Sequence, residues 1–307
     1  MAQTGTILVT GATGAQGGAA IDALLRTGIA VRALVRDPLA APARDLANRG
    51  VDLAQGEFDD QCSLAAAMQG TVGVFSVQMP SPPADPRSEV RTGRNLIEAA
   101  LAAGVRTFVH TSVARAGDHE SFVGWSEGRW EPSYWEGKAA VNAMVRSAGF
   151  PHWVILKPAF MMDNYIPPKA DWLFPMLSAG ILNTVMMKRA KLHLIAASDV
   201  GRFAAAAFAE EGRFHGNEID MGADALDADE VAAIIARVTG KTVTARHMTA
   251  EAARTAGVFS GVVSSQEWAS IEGYKVDIAR ANSYGIALES FEQWSQRHGS
   301  DFAVAGS

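Results

Sequence analysis

The chain has 307 residues, of which 48% are apolar and 20% charged, enough to bury a large core in one large domain or two smaller ones and too apolar for a disordered chain. The formal net charge is −6, with Lys and Arg scattered along the chain, which excludes a general nucleic-acid binder. No apolar run reaches the roughly 18 residues that a membrane span requires.

The single Cys62 excludes an internal disulfide framework, suits a reducing cytoplasm and reads as an ordinary small core residue. Met1 to Thr10 lacks the basic start of a signal peptide, so the expected location is cytoplasmic. The seven histidines stand apart with no HxxxH or CxxC spacing, and no metal site is expected.

In chain order, Ile7 to Val9 reads as a strand and Ala19 to Arg26 as a helix, with Thr10-Gly-Ala-Thr-Gly-Ala-Gln-Gly-Gly18 between them. Gly11, Gly14 and Gly17 form a GxxGxxG turn. That spacing lets the backbone leave a strand sharply, approach a pyrophosphate and present the amides of a helix N-terminus, where Thr13, Ala15 and Gln16 lie.

A second strand is expected over Ala30 to Val35 and ends in Arg36-Asp37-Pro38. Arg36 suits the 2′-phosphate of NADP(H) through a bidentate, charge-assisted contact; Asp37 is an alternative partner for an unphosphorylated ribose. Arg32, nearby, reads as part of a solvated face. A third strand over Val51 to Ala54 leads to Phe58, which could flank the adenine, and to Asp59 and Asp60, which read equally as caps of the helix around Leu64.

Strand Val72 to Val77, the Pro80 to Pro83 loop, helix Arg87 to Ala103 and strand Thr107 to Thr111 follow. Helix Trp135 to Ser147 and strand Trp153 to Leu156 complete the alternation. Repeated strand–helix units predict an α/β, Rossmann-type doubly wound parallel sheet with ligands at the carboxyl ends of its strands. Beyond Pro158 the alternation breaks, and a smaller C-terminal α+β substrate lobe is expected. The division runs 1–158 for the dinucleotide domain, with a return around 192–238, and the remaining segments of 159–307 for the lobe. Ala-rich Phe203 to Ala209 reads as a buried helix face, and Asp227 with Glu230 as a capping box opening Val231 to Val238.

The chemistry-bearing pattern is Ser112 at the end of one strand, then Tyr134 and Lys138 at YxxxK spacing where the next helix starts. That spacing sets the two side chains one turn apart on one helix face. A phenol of reference pKa near ~10 is a poor acid, and a neighbouring ammonium stabilises its phenolate. Lys138 supplies that charge and a contact to the nicotinamide ribose, and Ser112 is placed to polarise a carbonyl. Trp125, Trp135, Met162 and Tyr165, in aromatic- and Met-rich segments on either side, are the expected walls of an apolar substrate pocket.

These motifs resemble the NmrA-like group of atypical short-chain dehydrogenase/reductases. The resemblance is carried by Gly11 to Gly18, Val31 to Pro38, Gly104 to Val109, Lys138, Pro158 with Asn164, Ser198 to Gly201, Thr239 to Lys241 and Phe291 to Trp294, and it runs the full length. It implies NADP(H) contacts from the Gly11 to Gly17 turn, Arg36, Phe58, Gln78, Lys138 and the Pro158 to Met162 stretch, including Phe160 and Met161. The group holds NADPH-dependent quinone reductases alongside regulators that sense NADP(H) without turnover. It commonly has His or another residue where this chain has Tyr134; the Tyr restores the Ser-Tyr-Lys set of the catalytic superfamily. The resemblance thus implies an NADPH-dependent reductase of a ketone, quinone or similar apolar acceptor, with Tyr134 as proton donor. The alternative is an NADP(H)-sensing regulator acting on a protein partner, and an isomerase or ether reductase is a third use of the same cofactor. A homodimer is compatible with either of the first two.

Overall fold

A computed structural model of the chain describes residues 5–305. Residues 1–4 and 306–307, at the two ends of the expected domains, lie outside the described residues. The chain divides into two compact units. The first is Met1–Glu120, Glu131–Pro158 and Ala197–Asp220; the second is Ser121–Trp130, Ala159–Ala196 and Met221–Ser307.

The first unit alternates β1 (Thr6–Val9), α1 (Ala15–Arg26), β2 (Ala30–Val35), α2 (Ala41–Asn48), β3 (Asp52–Gln55), α3 (Gln61–Met68), β4 (Thr71–Ser76), α4 (Ser88–Ala102), β5 (Thr107–Thr111), α5 (Pro132–Ser147) and β6 (His152–Pro158). The sheet runs β3-β2-β1-β4-β5-β6, with strand Asn217–Met221 beside β6. Pairings among β1 to β6 are all parallel. Order therefore reverses between β1 and β4, the switch point at whose carboxyl side doubly wound sheets bind ligands.

Strand residues alternate between two covered faces, as a parallel sheet requires. Leu8, Leu34, Val74, Phe108 and Ile155 meet Leu64, Leu96, Val141 and Val145 of α3, α4 and α5 in one core cluster. Helix Ala197–Ala209 packs along α1 and crosses β5 and β6. It is the expected Ala-rich buried face, with Phe203, Ala204, Ala207 and Phe208 buried.

Several expectations are corrected. Cys62 is exposed: it takes the solvent side of α3 while Leu64, Ala67 and Met68 take the inner one. Arg32 is no solvated bystander, since its guanidinium binds Asp52 at 2.5 Å and the carbonyls of Ala67 and Gln69 at 3.0 and 2.7 Å, closing the C-terminus of α3. Asp60 is the cap of α3, accepting from the amides of Cys62 and Ser63, whereas Asp59 pairs with Arg91. Helix α1 begins four residues before Ala19, at Ala15 within the glycine turn.

The second unit is α+β. Strand Leu192–Ile195 pairs antiparallel with Asp224–Leu226 and parallel with Phe160–Met161, and Ile181–Thr184 pairs parallel with Thr244–His247. Helix Ala228–Thr239 opens with the Asp227–Glu230 capping box. Segment Ser121–Trp130 is fastened within this unit: Val123 N–H donates to Glu272 at 2.8 Å, and Phe122 packs on Trp268 with ring centroids 5.7 Å apart. Among the described residues no helix is long and apolar enough to cross a membrane.

Candidate active site

The turn after β1 is built at the switch point. Thr10 ties the ends of β1 and β4 together: its N–H donates to Phe75 O at 3.0 Å, and its hydroxyl accepts from Val77 N–H at 2.8 Å. Gly11 then takes φ +60, the left-handed conformation that reverses the chain. Gly17 sits against that turn, and a Cβ there would lie 2.2 Å from Gly11 O, so any side chain would force α1 away. Gly14 is the N-cap of α1, with no side-chain cap and no acid in the first turn. The amides that follow are open to an anion, and the helix dipole favours one. Thr13 is exposed beside them, Ala15 begins the helix, and the Gln16 side-chain oxygen is buried without a hydrogen-bond partner.

At the end of β2, Arg36 is exposed, and its guanidinium has no partner among the described residues. The adjoining carboxylate takes part in its own turn, with Asp37 Oδ1 accepting the Leu39 N–H at 2.8 Å. Phe58 is half-buried against the α3–α4 core, and its carbonyl accepts from Asn95 at 2.9 Å. Gln78, just past β4, is buried; its amide donates to Ser76 Oγ at 2.8 Å while its oxygen has no hydrogen-bond partner. These features fit a 2′-phosphorylated dinucleotide: an open helix terminus for the pyrophosphate, an unpaired guanidinium for the third phosphate and a spare amide oxygen further along the sheet.

The Ser-Tyr-Lys residues belong to the ends of β5 and α5. Ser112 extends β5 by donating its N–H to Leu156 O at 2.8 Å, and its buried hydroxyl finds no partner. Helix α5 starts at Pro132 behind Glu131, whose carboxylate caps the Ser133 amide. Its first turn carries Tyr134, half-buried and edge-on to Trp135 at 5.1 Å between centroids. One turn on, Lys138 is buried, and its Nζ lies 6.0 Å from the Tyr134 ring centroid. The structure thus brings Lys138 to Tyr134, as their spacing predicts.

Sequence reasoning missed the groups around Lys138. Glu89, in the first turn of α4, is fully buried with Oε1 2.6 Å from Lys138 Nζ. Burial pushes its carboxyl above the usual carboxylate range, and the ammonium opposes that shift. His110, on β5, is also fully buried, with Nδ1 3.1 Å from Ser76 Oγ and Nε2 unpartnered. Burial, then the charge of Lys138, depress its imidazole to about 3, so it is neutral across the working range. Asn142, one further turn along α5, is buried with neither amide atom hydrogen-bonded. The helical spacing of 134, 138 and 142 was a usable signal for Asn142. Nothing local marks Glu89.

Trp135 is buried in the first unit, and Pro158 closes β6 there, its carbonyl accepting from Ala114 N–H at 3.0 Å. The other expected contacts belong to the second unit. Phe160 and Met161 form its short strand, and Met162 is fully buried behind them. Tyr165 stacks on Phe174 at 4.9 Å and meets Phe291 edge-on at 5.3 Å; burial raises its phenol well above the ordinary value. Trp125 is half-buried, edge-on to Phe122. Among the described residues no group of three or more His, Cys, Asp or Glu is placed to hold a metal ion.

The NmrA-like family model matches residues 3–283. The chain belongs to the NmrA-like family. Over 307 aligned residues it is 29% identical to a (4-alkanoyl-5-oxo-2,5-dihydrofuran-3-yl)methyl phosphate reductase of Streptomyces griseus subsp. griseus, covering 97% of this chain and 99% of that one. It is 30% identical over 266 residues to an NAD(P)H azoreductase of Xenophilus azovorans, covering 84% and 82%. The Citrobacter sp. triphenylmethane reductase, solved with NADP(H), shares the fold with a TM-score of 0.75 at 22% identity, over 95% of this chain and 99% of that one. The mostly parallel sheet with helices on both faces is thus the family's Rossmann-like fold.

Proposed function

We propose that this NmrA-like chain is an NADPH-dependent oxidoreductase that reduces an apolar, conjugated acceptor such as a quinone or an unsaturated ketone. One observation carries the reading: a buried lysine stands beside Tyr134 on α5, in the same unit as an uncapped helix N-terminus and an unpaired Arg36. The substrates named for two relatives, an alkanoyl-dihydrofuranone phosphate and azo compounds, support the conjugation of the acceptor. Phe160, half-buried beside the packed Tyr165 and Phe174 in the second unit, offers an apolar surface for it.

The first unit is the cofactor-binding unit in this reading and the second contributes the substrate lobe. The amides at the start of α1 hold the pyrophosphate, and Arg36 holds the 2′-phosphate. Gln78 supplies an acceptor oxygen that has no protein partner. NADPH, when bound, supplies the hydride equivalent. Ser112 donates its hydroxyl hydrogen bond to the acceptor's oxygen, and Tyr134 gives its phenolic proton to the reduced acceptor, leaving a phenolate that solvent reprotonates. Lys138 stabilises that phenolate and contacts the nicotinamide ribose.

Tyr134→Phe tests the assignment of the proton. It removes only the hydroxyl, so kcat is expected to fall by roughly 100-fold or more, in line with the worth of a positioned general acid, while NADPH affinity stays within about 2-fold. Turnover at the wild-type rate contradicts the role of Tyr134.

A further inference from the structure

We propose that Glu89 is a positioning residue for this site: it fixes the Lys138 ammonium and offsets its charge, thereby setting the acidity of the Tyr134 phenol. The inference rests on the reading of Tyr134 and Lys138 given above. Glu89 stands far from both in sequence and belongs to a different helix, but its carboxylate is fully buried with Oε1 2.6 Å from Lys138 Nζ. Apart from that ion pair, neither carboxylate oxygen has a hydrogen-bond partner among the described residues.

The contact between α4 and α5 is shaped around this carboxylate. A Cβ on Gly137 would lie 3.3 Å from Glu89 Oε2, tighter than most side-chain contacts, so the glycine beside Lys138 leaves the carboxylate room by a few tenths of an ångström. Gly93 of α4 in turn lies against Val141 of α5, where a Cβ would come within 2.9 Å of Val141 Cγ2. Stability alone is a poor reason for such a pair. Desolvating two ions costs several kcal/mol each, and an apolar pair of similar volume is commonly as stable or more so.

The pair does have an electrostatic consequence. Lys138 Nζ lies 6.0 Å from the Tyr134 ring centroid, so the phenol experiences the ammonium together with the anion behind it. Among the described residues His110 of β5 also feels Lys138, and it is neutral; Asn142 of α5, one turn beyond Lys138, carries no charge. Removing the anion therefore leaves the phenol with a less compensated cation and makes it more acidic.

The test is an ultraviolet difference titration of the Tyr134 phenolate in the protein without cofactor. The Tyr134→Phe spectrum is subtracted to remove the other tyrosines, of which the buried Tyr165 and the half-buried Tyr274 both titrate above the ordinary value because they are desolvated. Glu89→Gln is expected to lower the midpoint by about one pH unit, and the basic limb of the kcat profile with it. Glu89→Asp, which keeps the charge, should return the midpoint most of the way. Gly137→Ala, which only presses the carboxylate by a few tenths of an ångström and keeps its charge, should move the midpoint much less than Glu89→Gln. An unmoved midpoint in a folded Glu89→Gln overturns the proposal. Should that variant fail to fold, an unmoved midpoint in a folded Glu89→Met, which removes the charge at similar volume, does so. A shifted midpoint combined with full turnover by Tyr134→Phe would uphold the influence of Glu89 on the phenol and reject Tyr134 as the proton donor.

Discussion

Arg36 and Asp37 are neighbours of opposite charge at the end of β2, and the structure separates their roles. Asp37 Oδ1 accepts from the Leu39 amide in its own turn, whereas the Arg36 guanidinium is exposed and unpaired among the described residues. A charge-assisted, bidentate contact to the 2′-phosphate contributes about 1.5–3 kcal/mol, so Arg36→Ala should weaken NADPH binding by roughly 10- to 100-fold. NADH, which lacks that phosphate, should lose less than about 3-fold. Isothermal titration with both nucleotides checks this, and equal losses would contradict the assignment. Arg36 and the glycine turn were legible because their signals are local: a short spacing after a strand. Arg32 and Glu89 were not, because their partners come from distant segments. Arg32 closes α3 through Ala67 and Gln69, and Glu89 acquires its meaning only where α4 lies against α5.

Strand β5 carries an imidazole that the interior cannot charge. His110 is fully buried, and its pKa is depressed to about 3 by burial and by Lys138. In the unfolded chain the same group titrates near ~6.5, so between those values the unfolded state binds the extra proton and stability falls as the solution becomes more acidic. The loss begins below about pH 6.5 and reaches up to about 1.4 kcal/mol for each further pH unit. Urea midpoints measured from roughly pH 6.5 to 4.5 should therefore decline more gently in His110→Asn than in the wild type; parallel curves would contradict this account. The elements themselves were legible from apolar periodicity, but their ends were less so. Helix α1 starts within the glycine turn, and α5 starts at a proline behind the Glu131 cap, where glycine and proline hide the helical pattern. Strand β6 runs two residues past the expected Leu156, to Pro158.

The order of the strands and the division of the chain are properties of the molecule that no segment announces. Alternation predicts a parallel sheet. That β1 lies beside β4, putting the switch point at Thr10, follows from long-range pairing. Ser121–Trp130 leaves the first unit between β5 and α5 because Glu272 and Trp268 hold it in the second, and neither anchor is near it in sequence. A reductase and a cofactor sensor built on this fold differ in whether the hydride leaves. The most direct measurement is the loss of reduced-nicotinamide absorbance when the protein is mixed with NADPH and a panel of quinones, azo dyes and unsaturated ketones. Multiple turnovers are expected with at least one conjugated acceptor, faster with NADPH than with NADH. Tight NADPH binding with no oxidation by any member of the panel would contradict hydride transfer.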